Sequence, residues 1–138
     1  MNGDRVKDLL ARSTGGGRAT VRGWLRTARH GKGVSFLEIA DGSCFAGIQA
    51  VAAPELPNYE SEVRALRAGC AVEVEGELVD SPGGGQSLEI QATRVRVIGG
   101  VEDDYPLQKK RHSFEFLRSI AHLRPRTNTF GAVLRVRN

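Results

Sequence analysis

The chain has 138 residues and 40% hydrophobic content, which suits one domain with an extension, and its apolar runs are too short for a membrane span or a signal peptide, so we expect a cytoplasmic protein with no membrane partner. The net charge of +4 combines +5 in residues 1–40, −5 in 41–100 and +4 in 101–138. This distribution would guide a polyanion to one side of the molecule. Solvated charge without a partner also accounts for it. Cys44 and Cys70 are far apart and lack clustered histidines, which favours buried free thiols over a disulfide or a metal site.

The first predicted element is a helix or turn in residues 1–17, where apolar residues recur at helical spacing before three consecutive glycines. The predicted domain, residues 18–98, opens with a strand from Arg18 to Arg29. One parity of this strand is apolar and the other is basic and aromatic. Gly23 indicates a bend or bulge within it, so spacing alone leaves the facing of Arg29 open.

Two further strands, in residues 34–40 and 43–51, are predicted on either side of Asp41-Gly42, a strong hairpin signal. In the first of them Phe36 has the parity opposite to the pair Leu37 and Ile39, so if that pair faces the core, the ring is expected on the water-facing side of the sheet. Gln49 has the corresponding parity in the second strand. A ring for stacking beside an amide that both donates and accepts hydrogen bonds is suited to reading a nucleic-acid base.

A short helix beginning at Asn58, its N-cap, is predicted next, and two more strands follow in residues 71–79 and 88–98. The fourth strand alternates apolar residues with glutamate, and a glycine-rich turn joins it to the fifth. The apolar residues of the fifth strand change parity along its length, which predicts a bulge near Thr93-Arg94.

This order, three strands, one short helix and two strands, is typical of an all-β, five-stranded OB-fold barrel, which binds oligonucleotides on the face of strands 2 and 3 and with the loops after strands 1 and 4. Phe36 and Gln49 fall on those two strands. The loops would be His30–Gly33 and the turn containing Gly83–Gly85.

Residues 99–138 differ from the barrel in composition: an acidic, glycine-containing linker precedes a basic segment with two amphipathic helical stretches separated by Pro125. The second stretch reaches Asn138 without a stop signal, so we expect a longer parent chain. We also expect Thr127–Asn138 to be frayed or to be held by a neighbouring molecule, because a closed barrel offers its apolar side no partner.

Four stretches resemble the N-terminal part of bacterial asparaginyl-tRNA synthetases, of the class II group that also contains the aspartyl and lysyl enzymes. They are Thr20–Arg29, Gly33–Phe45, Gly47–Val51 and His122–Asn128, the last reading His-Leu-Arg-Pro-Arg-Thr-Asn. The Val-Arg-Gly-Trp sequence in the first stretch is shared across that group, whereas the last stretch has the asparaginyl form. The resemblance implies that residues 99–138 are the hinge and the start of a catalytic domain.

The resemblance also implies residue roles. In that family the barrel binds the anticodon, and its middle uridine stacks on a phenylalanine and is hydrogen-bonded by a glutamine, at positions that match Phe36 and Gln49 here. An arginine at the end of strand 1 and a glutamate on strand 5 match Arg29 and Glu89. Possible contacts to the RNA backbone come from Arg22, Arg26 and Lys32.

The family's catalytic motifs are missing from this chain, so the resemblance implies a ligase parent but a fragment with no catalytic residue, no metal ligand and no cofactor of its own. ATP and Mg²⁺ are implied for the parent enzyme. The implied partners are the anticodon stem-loop of tRNA-Asn, the catalytic domain of the parent chain and, in the parent, a second copy in a homodimer.

Three alternatives remain open. One is a free-standing OB protein that binds single-stranded nucleic acid with little preference among bases. Another is the corresponding region of an aspartyl-type synthetase. In the third, Phe130, Val133 and Leu134 dock a helix of a protein partner, and this binding would be insensitive to salt.

Overall fold

The computed structural model describes residues 3–138, so Met1 and Asn2 of the predicted N-terminal region lie outside the described residues. Five strands form a closed barrel in the order β1-β2-β3-β5-β4, which confirms the predicted OB-type architecture. The strands are β1 (Arg18–His30), β2 (Ser35–Ala40), β3 (Ile48–Ala52), β4 (Ala71–Asp80) and β5 (Leu88–Gly99). All neighbouring pairs are antiparallel except β3 and β5, which are parallel.

The long strand β1 closes the barrel because its first half pairs with β4 and its second half pairs with β2. Gly23 lies where the strand changes partners, and a Cβ atom there would be only 2.5 Å from the carbonyl oxygen of Ala40. Close approach of two backbones therefore explains this glycine. The irregularity in pairing falls between Leu25 and Thr27, a little beyond the predicted position.

The barrel interior follows the predicted alternation of apolar side chains. The fully buried residues include Val21, Leu37, Ile39, Ile48, Val72, Val74, Leu78, Leu88 and Ile90. The change of parity in β5 is also confirmed, because the register with β4 shifts between Ala92 and Arg94 and leaves Thr93 as the extra residue. Val95 thereby returns to the core.

A short helix, α1 (Val6–Leu10), packs into this core with Val6 and Leu9, both fully buried. Its first amide, on Val6, donates to the Asp41 carboxylate at 2.9 Å, and the amide of Lys7 donates to the Ser43 hydroxyl at 3.0 Å. The β2–β3 hairpin predicted at Asp41-Gly42 is present, but its connection spans residues 41–47. The loop is longer than the sequence pattern predicts because it caps α1.

The segment between β3 and β4 consists of turns and one 3₁₀-helix, Val63–Ala65, where the sequence predicts a short helix. The apolar residues that predict the helix, Tyr59, Val63 and Leu66, are nevertheless all buried. The Asn58 side chain donates to the Glu62 carboxylate at 2.6 Å and to the Val95 carbonyl at 2.8 Å. It therefore ties the segment to β5 instead of capping a helix.

The C-terminal extension contains α2 (Phe114–Ser119), a 3₁₀-helix (Arg124–Arg126) and α3 (Asn128–Arg137). Within residues 3–138, no helix is long and apolar enough to cross a membrane. Arg135 of α3 donates to the carbonyls of Gly42, at 2.7 Å, and Cys44, at 3.1 Å. The structure thus places α3 against the chain's own β2–β3 connection, although Val133, Leu134 and Val136 remain exposed.

Candidate nucleic-acid interface

Strand pairing brings four of the predicted site residues together on the outward face of the barrel sheet. In the register of β1 with β2, Arg29 stands opposite Phe36. Gln49 of β3 stands opposite Glu38 of β2 on one side and Glu89 of β5 on the other. Residues opposite each other in a sheet point to the same face, so these side chains share one face. This set, here called the outer row, carries a ring, an amide, a cation and carboxylates and consists of Arg29, Phe36, Glu38, Gln49 and Glu89.

Phe36 supplies the ring. Its neighbours Ser35 and Leu37 are fully buried, whereas Phe36 is only half-buried, as its parity predicts. The guanidinium carbon of Arg29 lies 5.1 Å from the ring centroid, within cation–π range. The ring is therefore available at the surface, beside a positive charge.

Gln49 supplies the amide, and its two ends have different partners. Arg29 Nη2 donates to Gln49 Oε1 at 3.3 Å. Gln49 Nε2 donates to Glu89 Oε2 at 3.1 Å. A glutamine amide has two N–H donors and two lone pairs on its oxygen. These two bonds use one of each, so one N–H and one lone pair are left for a ligand.

Glu89 is almost completely buried, with 4% of its surface exposed. Besides Gln49, it accepts from the Ser81 hydroxyl at 3.1 Å and from Gln91 Nε2 at 2.9 Å. Ser81 follows β4, and Gln91 shares the parity of Glu89 on β5. The sequence reasoning missed both residues, although alternation along β5 could have identified Gln91.

Gln86, in the glycine-rich turn, was also missed. Its Oε1 accepts from the backbone amide of Gln49 at 3.0 Å, and its Nε2 donates to the Gly47 carbonyl at 2.9 Å. A side-chain amide thereby takes the place of a neighbouring strand and fixes the start of β3. The turn after β4 is therefore connected to the outer row, as the OB pattern predicts for a binding loop.

The three predicted backbone contacts are not brought together. Lys32 lies in the exposed loop before β2, near the outer row in sequence. Arg26 lies 5.9 Å from the ring centroid of Phe45 and donates to Asn128 Oδ1 at 3.3 Å, so it faces the C-terminal extension. Arg22 pairs with Glu73 on β4, in the half of β1 that is remote from β2.

Between the barrel and the extension lies a groove of about 1130 Å³. Trp24 borders it, 46% exposed, with the guanidinium carbon of Arg126 4.6 Å from its ring. Trp24 therefore lies outside the barrel core and packs against the extension. Among residues 3–138, no group of three or more histidine, cysteine, aspartate or glutamate side chains could hold a metal ion.

Comparison with known proteins gives consistent matches. The family model of the tRNA anticodon type, described as an OB-fold nucleic acid binding domain, matches residues 19–98. Asparagine–tRNA ligase of Geobacter sulfurreducens is 55% identical over 134 residues, or 97% of this chain and 29% of the relative. The enzyme of the same name from Hahella chejuensis is 58% identical over 136 residues, again 29% of its length. The chain thus spans under a third of the curated relatives it matches.

Among solved structures, asparaginyl-tRNA synthetase of Pyrococcus horikoshii superposes with a TM-score of 0.82 at 22% identity, covering 98% of this chain and 32% of that one. At that identity the likeness concerns the fold. The asparaginyl-tRNA synthetase of Entamoeba histolytica, in complex with asparaginyl-adenylate, has a TM-score of 0.74 at 27% identity, covering 93% of this chain and 32% of that one.

Proposed function

The chain belongs to the tRNA anticodon family of OB-fold nucleic acid binding domains, and we propose that it is the anticodon-binding part of an asparagine–tRNA ligase. The outer row is the observation that carries this proposal at the level of the site. It combines a surface ring, Phe36, with a hydrogen-bonding amide, Gln49, on neighbouring strands. The identity to asparagine–tRNA ligases over nearly the whole chain supports the choice of amino acid.

In this proposal the middle base of the anticodon leaves the stack of the RNA loop and lies on the Phe36 ring. Single-stranded loops are the part of an RNA whose bases can be turned outward in this way. The base edge then meets the free N–H and lone pair of the Gln49 amide. One base stacked on an aromatic side chain contributes about 1–3 kcal/mol to binding.

Positive charge beside the ring would hold the RNA backbone. Arg29 is exposed and lies at the ring, and Lys32 is exposed in the loop before β2. Each cation that neutralises a phosphate on single-stranded RNA makes the slope of log affinity against log salt more negative by about 0.7. Binding should therefore weaken as salt rises, which distinguishes it from docking of an apolar protein partner.

The activity of the whole enzyme is proposed for the parent chain. That parent would ligate asparagine to tRNA-Asn with ATP and Mg²⁺ in its catalytic domain, and it would act as a homodimer in the cytoplasm. The present chain would contribute recognition of the tRNA only. Purified alone, it should show no asparagine-dependent exchange of pyrophosphate into ATP.

The test is a titration of the purified chain with RNA hairpins that differ only in the anticodon. Tightest binding is expected for the asparagine anticodon, and weaker binding when its middle uridine is replaced. Equal affinity for all hairpins would indicate a non-specific single-strand binder and would refute the proposal. A hairpin with the aspartate anticodon, which differs in its last base, separates the asparaginyl from the aspartyl assignment, since preference for it would favour the aspartyl one.

A further inference from the structure

The turn between β1 and β2 carries an exposed lysine, Lys32, with a glycine on either side. Regular pairing of the two strands ends at His30 and Ser35. Beyond this pair, one backbone hydrogen bond of 2.9 Å closes the turn, and Gly33 has a φ of 84°, a conformation that favours glycine. The two glycines allow the tip wide backbone freedom, so the position of Lys32 depends on what holds the base of the turn.

Side chains hold that base through a series of hydrogen bonds, here called the turn anchor, which consists of His30, Ser35, Tyr59 and the Leu66 carbonyl. His30 Nδ1 lies 2.8 Å from Ser35 Oγ, and His30 Nε2 lies 2.8 Å from the carbonyl oxygen of Leu66. Ser35 Oγ lies 3.0 Å from the Tyr59 hydroxyl oxygen. Tyr59 and Leu66 are buried in the segment between β3 and β4. The His30 ring therefore joins both ends of the turn to a segment that packs in the core.

The donors in the turn anchor follow from its chemistry. A carbonyl can only accept, so His30 Nε2 carries the proton that bonds Leu66. In the neutral ring Nδ1 is then bare and accepts from the Ser35 hydroxyl, whose oxygen accepts from Tyr59 in turn. Each of these groups has a partner, as burial requires, since Ser35 is 0% and Tyr59 2% exposed. Because Ser35 is closed to solvent, this serine–histidine pair is a structural contact and offers no nucleophile to a substrate.

We propose that His30 is a positioning residue, which through the turn anchor holds Lys32 close to the outer row, where it contacts a phosphate of the RNA. Arg29 needs no such support, because its own place in β1 is paired with Phe36 of β2. A lysine that is already ordered loses less conformational freedom when it meets the phosphate. The inference rests on the proposed anticodon function and extends it from the base to the backbone of the RNA.

The test is a double-mutant cycle of His30→Ala and Lys32→Ala, read by titration with the asparagine-anticodon hairpin at several salt concentrations. Lys32→Ala should make the slope of log affinity against log salt less negative by about 0.7, which corresponds to about fivefold weaker binding at about 0.1 M salt. His30→Ala should weaken binding by about twofold to fivefold, because the lysine must then be ordered during binding. In the Lys32→Ala background, His30→Ala should have no further effect.

A second measurement follows the turn in the absence of RNA. The NMR order parameter of the Lys32 amide should be about 0.85 in the wild type, as in a rigid backbone, and fall below about 0.6 in His30→Ala. Ser35→Ala, which removes the link across the base of the turn, should lower it in the same way. The matched control is His112→Ala, because the His112 ring also bonds a backbone carbonyl, that of Gln108 at 3.2 Å, but does so in the C-terminal extension. It should leave the order parameter and the affinity unchanged, and urea melts establish that all variants are folded.

Equal loss of affinity on His30→Ala with and without Lys32 would overturn the inference, because the ring would then act on the RNA by another route. Unchanged affinity or an unchanged order parameter in folded His30→Ala would also overturn it, as would a salt slope that Lys32→Ala leaves unaltered. The proposed function fails by a different result, equal binding of hairpins with different anticodons, since a phosphate contact carries no information about the base.

Discussion

Replacing Phe36 by alanine tests whether a stacking ring on the barrel surface carries base recognition. The substitution removes the ring while leaving the backbone pairing of β2 with β1 and β3 in place. In the complex it removes one base–aromatic stack, so binding of the asparagine-anticodon hairpin should weaken by about 1–3 kcal/mol. This corresponds to roughly a fivefold to 150-fold rise in Kd.

The cost in folding stability should be smaller than for a core phenylalanine. The ring is half-buried, and its inward neighbours Ser35 and Leu37 fill the interior without it. What is lost is the cation–π contact with Arg29, about 0.5–1 kcal/mol at an exposed site, and some covered apolar surface. We expect about 1–2 kcal/mol in total, whereas truncation of a core phenylalanine costs about 3–5 kcal/mol.

The assay combines hairpin titrations with urea melts, and Phe45→Ala is its matched control. Phe45 is also a surface phenylalanine near an arginine, Arg26, at 5.9 Å, but it lies in the β2–β3 connection outside the outer row. Its loss should cost similar or less stability and leave the preference for uridine intact. A Phe36→Ala protein that melts several kcal/mol early, yet binds normally once folded, would place the ring in the core and refute the reasoning.

Two further predictions concern contacts that hold the ends of the chain to the barrel. Asp41→Ala should destabilise the protein by about 1 kcal/mol, the usual value of a helix cap, as measured by urea melts. Burial acts to raise the pKa of Asp41, but hydrogen bonds from Ser43 and the Val6 amide outweigh it and lower the pKa below the ordinary 3.8. The contribution of the Asp41 carboxylate to folding stability should therefore be complete above pH 3.8 and be lost as pH falls through the lower folded pKa. An acid-unfolding curve of Asp41→Ala identical to that of the wild type would contradict this. Trp24→Ala should leave the urea midpoint of the barrel within about 1 kcal/mol but speed amide exchange in the 3₁₀-helix around Arg126, and a large loss of barrel stability would show that Trp24 belongs to the core after all.

Alternation along single strands made the barrel predictable, because the parity of a strand is a local property. It identified the inward residues of β2 and β4 and left Phe36 outside. It also located the bulge in β5, where a change of parity needs one extra residue. The short helix after Asn58 was less predictable, since burial of the same apolar residues is satisfied by turns and a 3₁₀-helix.

The hydrogen-bonded set around Gln49 could not be obtained from local patterns. Gln49 and Glu89 are 40 residues apart and meet because β3 and β5 are neighbours in the barrel and pair with these two residues in register. The assignment of Glu89 came from a family resemblance, and that resemblance gave no reason to choose Ser81, Gln86 or Gln91. Asp41 shows the same limit, because its local pattern is that of a hairpin turn whereas its carboxylate caps a helix 35 residues earlier.

Charge shows why position along the chain is a poor guide to charge on a face. Counted by segment, the acidic middle opposes two basic ends, but β1 of the basic first segment pairs with β4 of the acidic middle one. Glu73 consequently lies between Arg22 and Arg96, and the hydrogen bond from Arg22 lowers its pKa below the usual value. Glu75 of the same strand pairs with Arg94 at 3.1 Å, so the charges of these two carboxylates are largely compensated by neighbouring arginines. In the proposed complex the exposed cations beside the outer row, Arg29 and Lys32, would attract the RNA at the place where it binds, which the segment totals do not indicate.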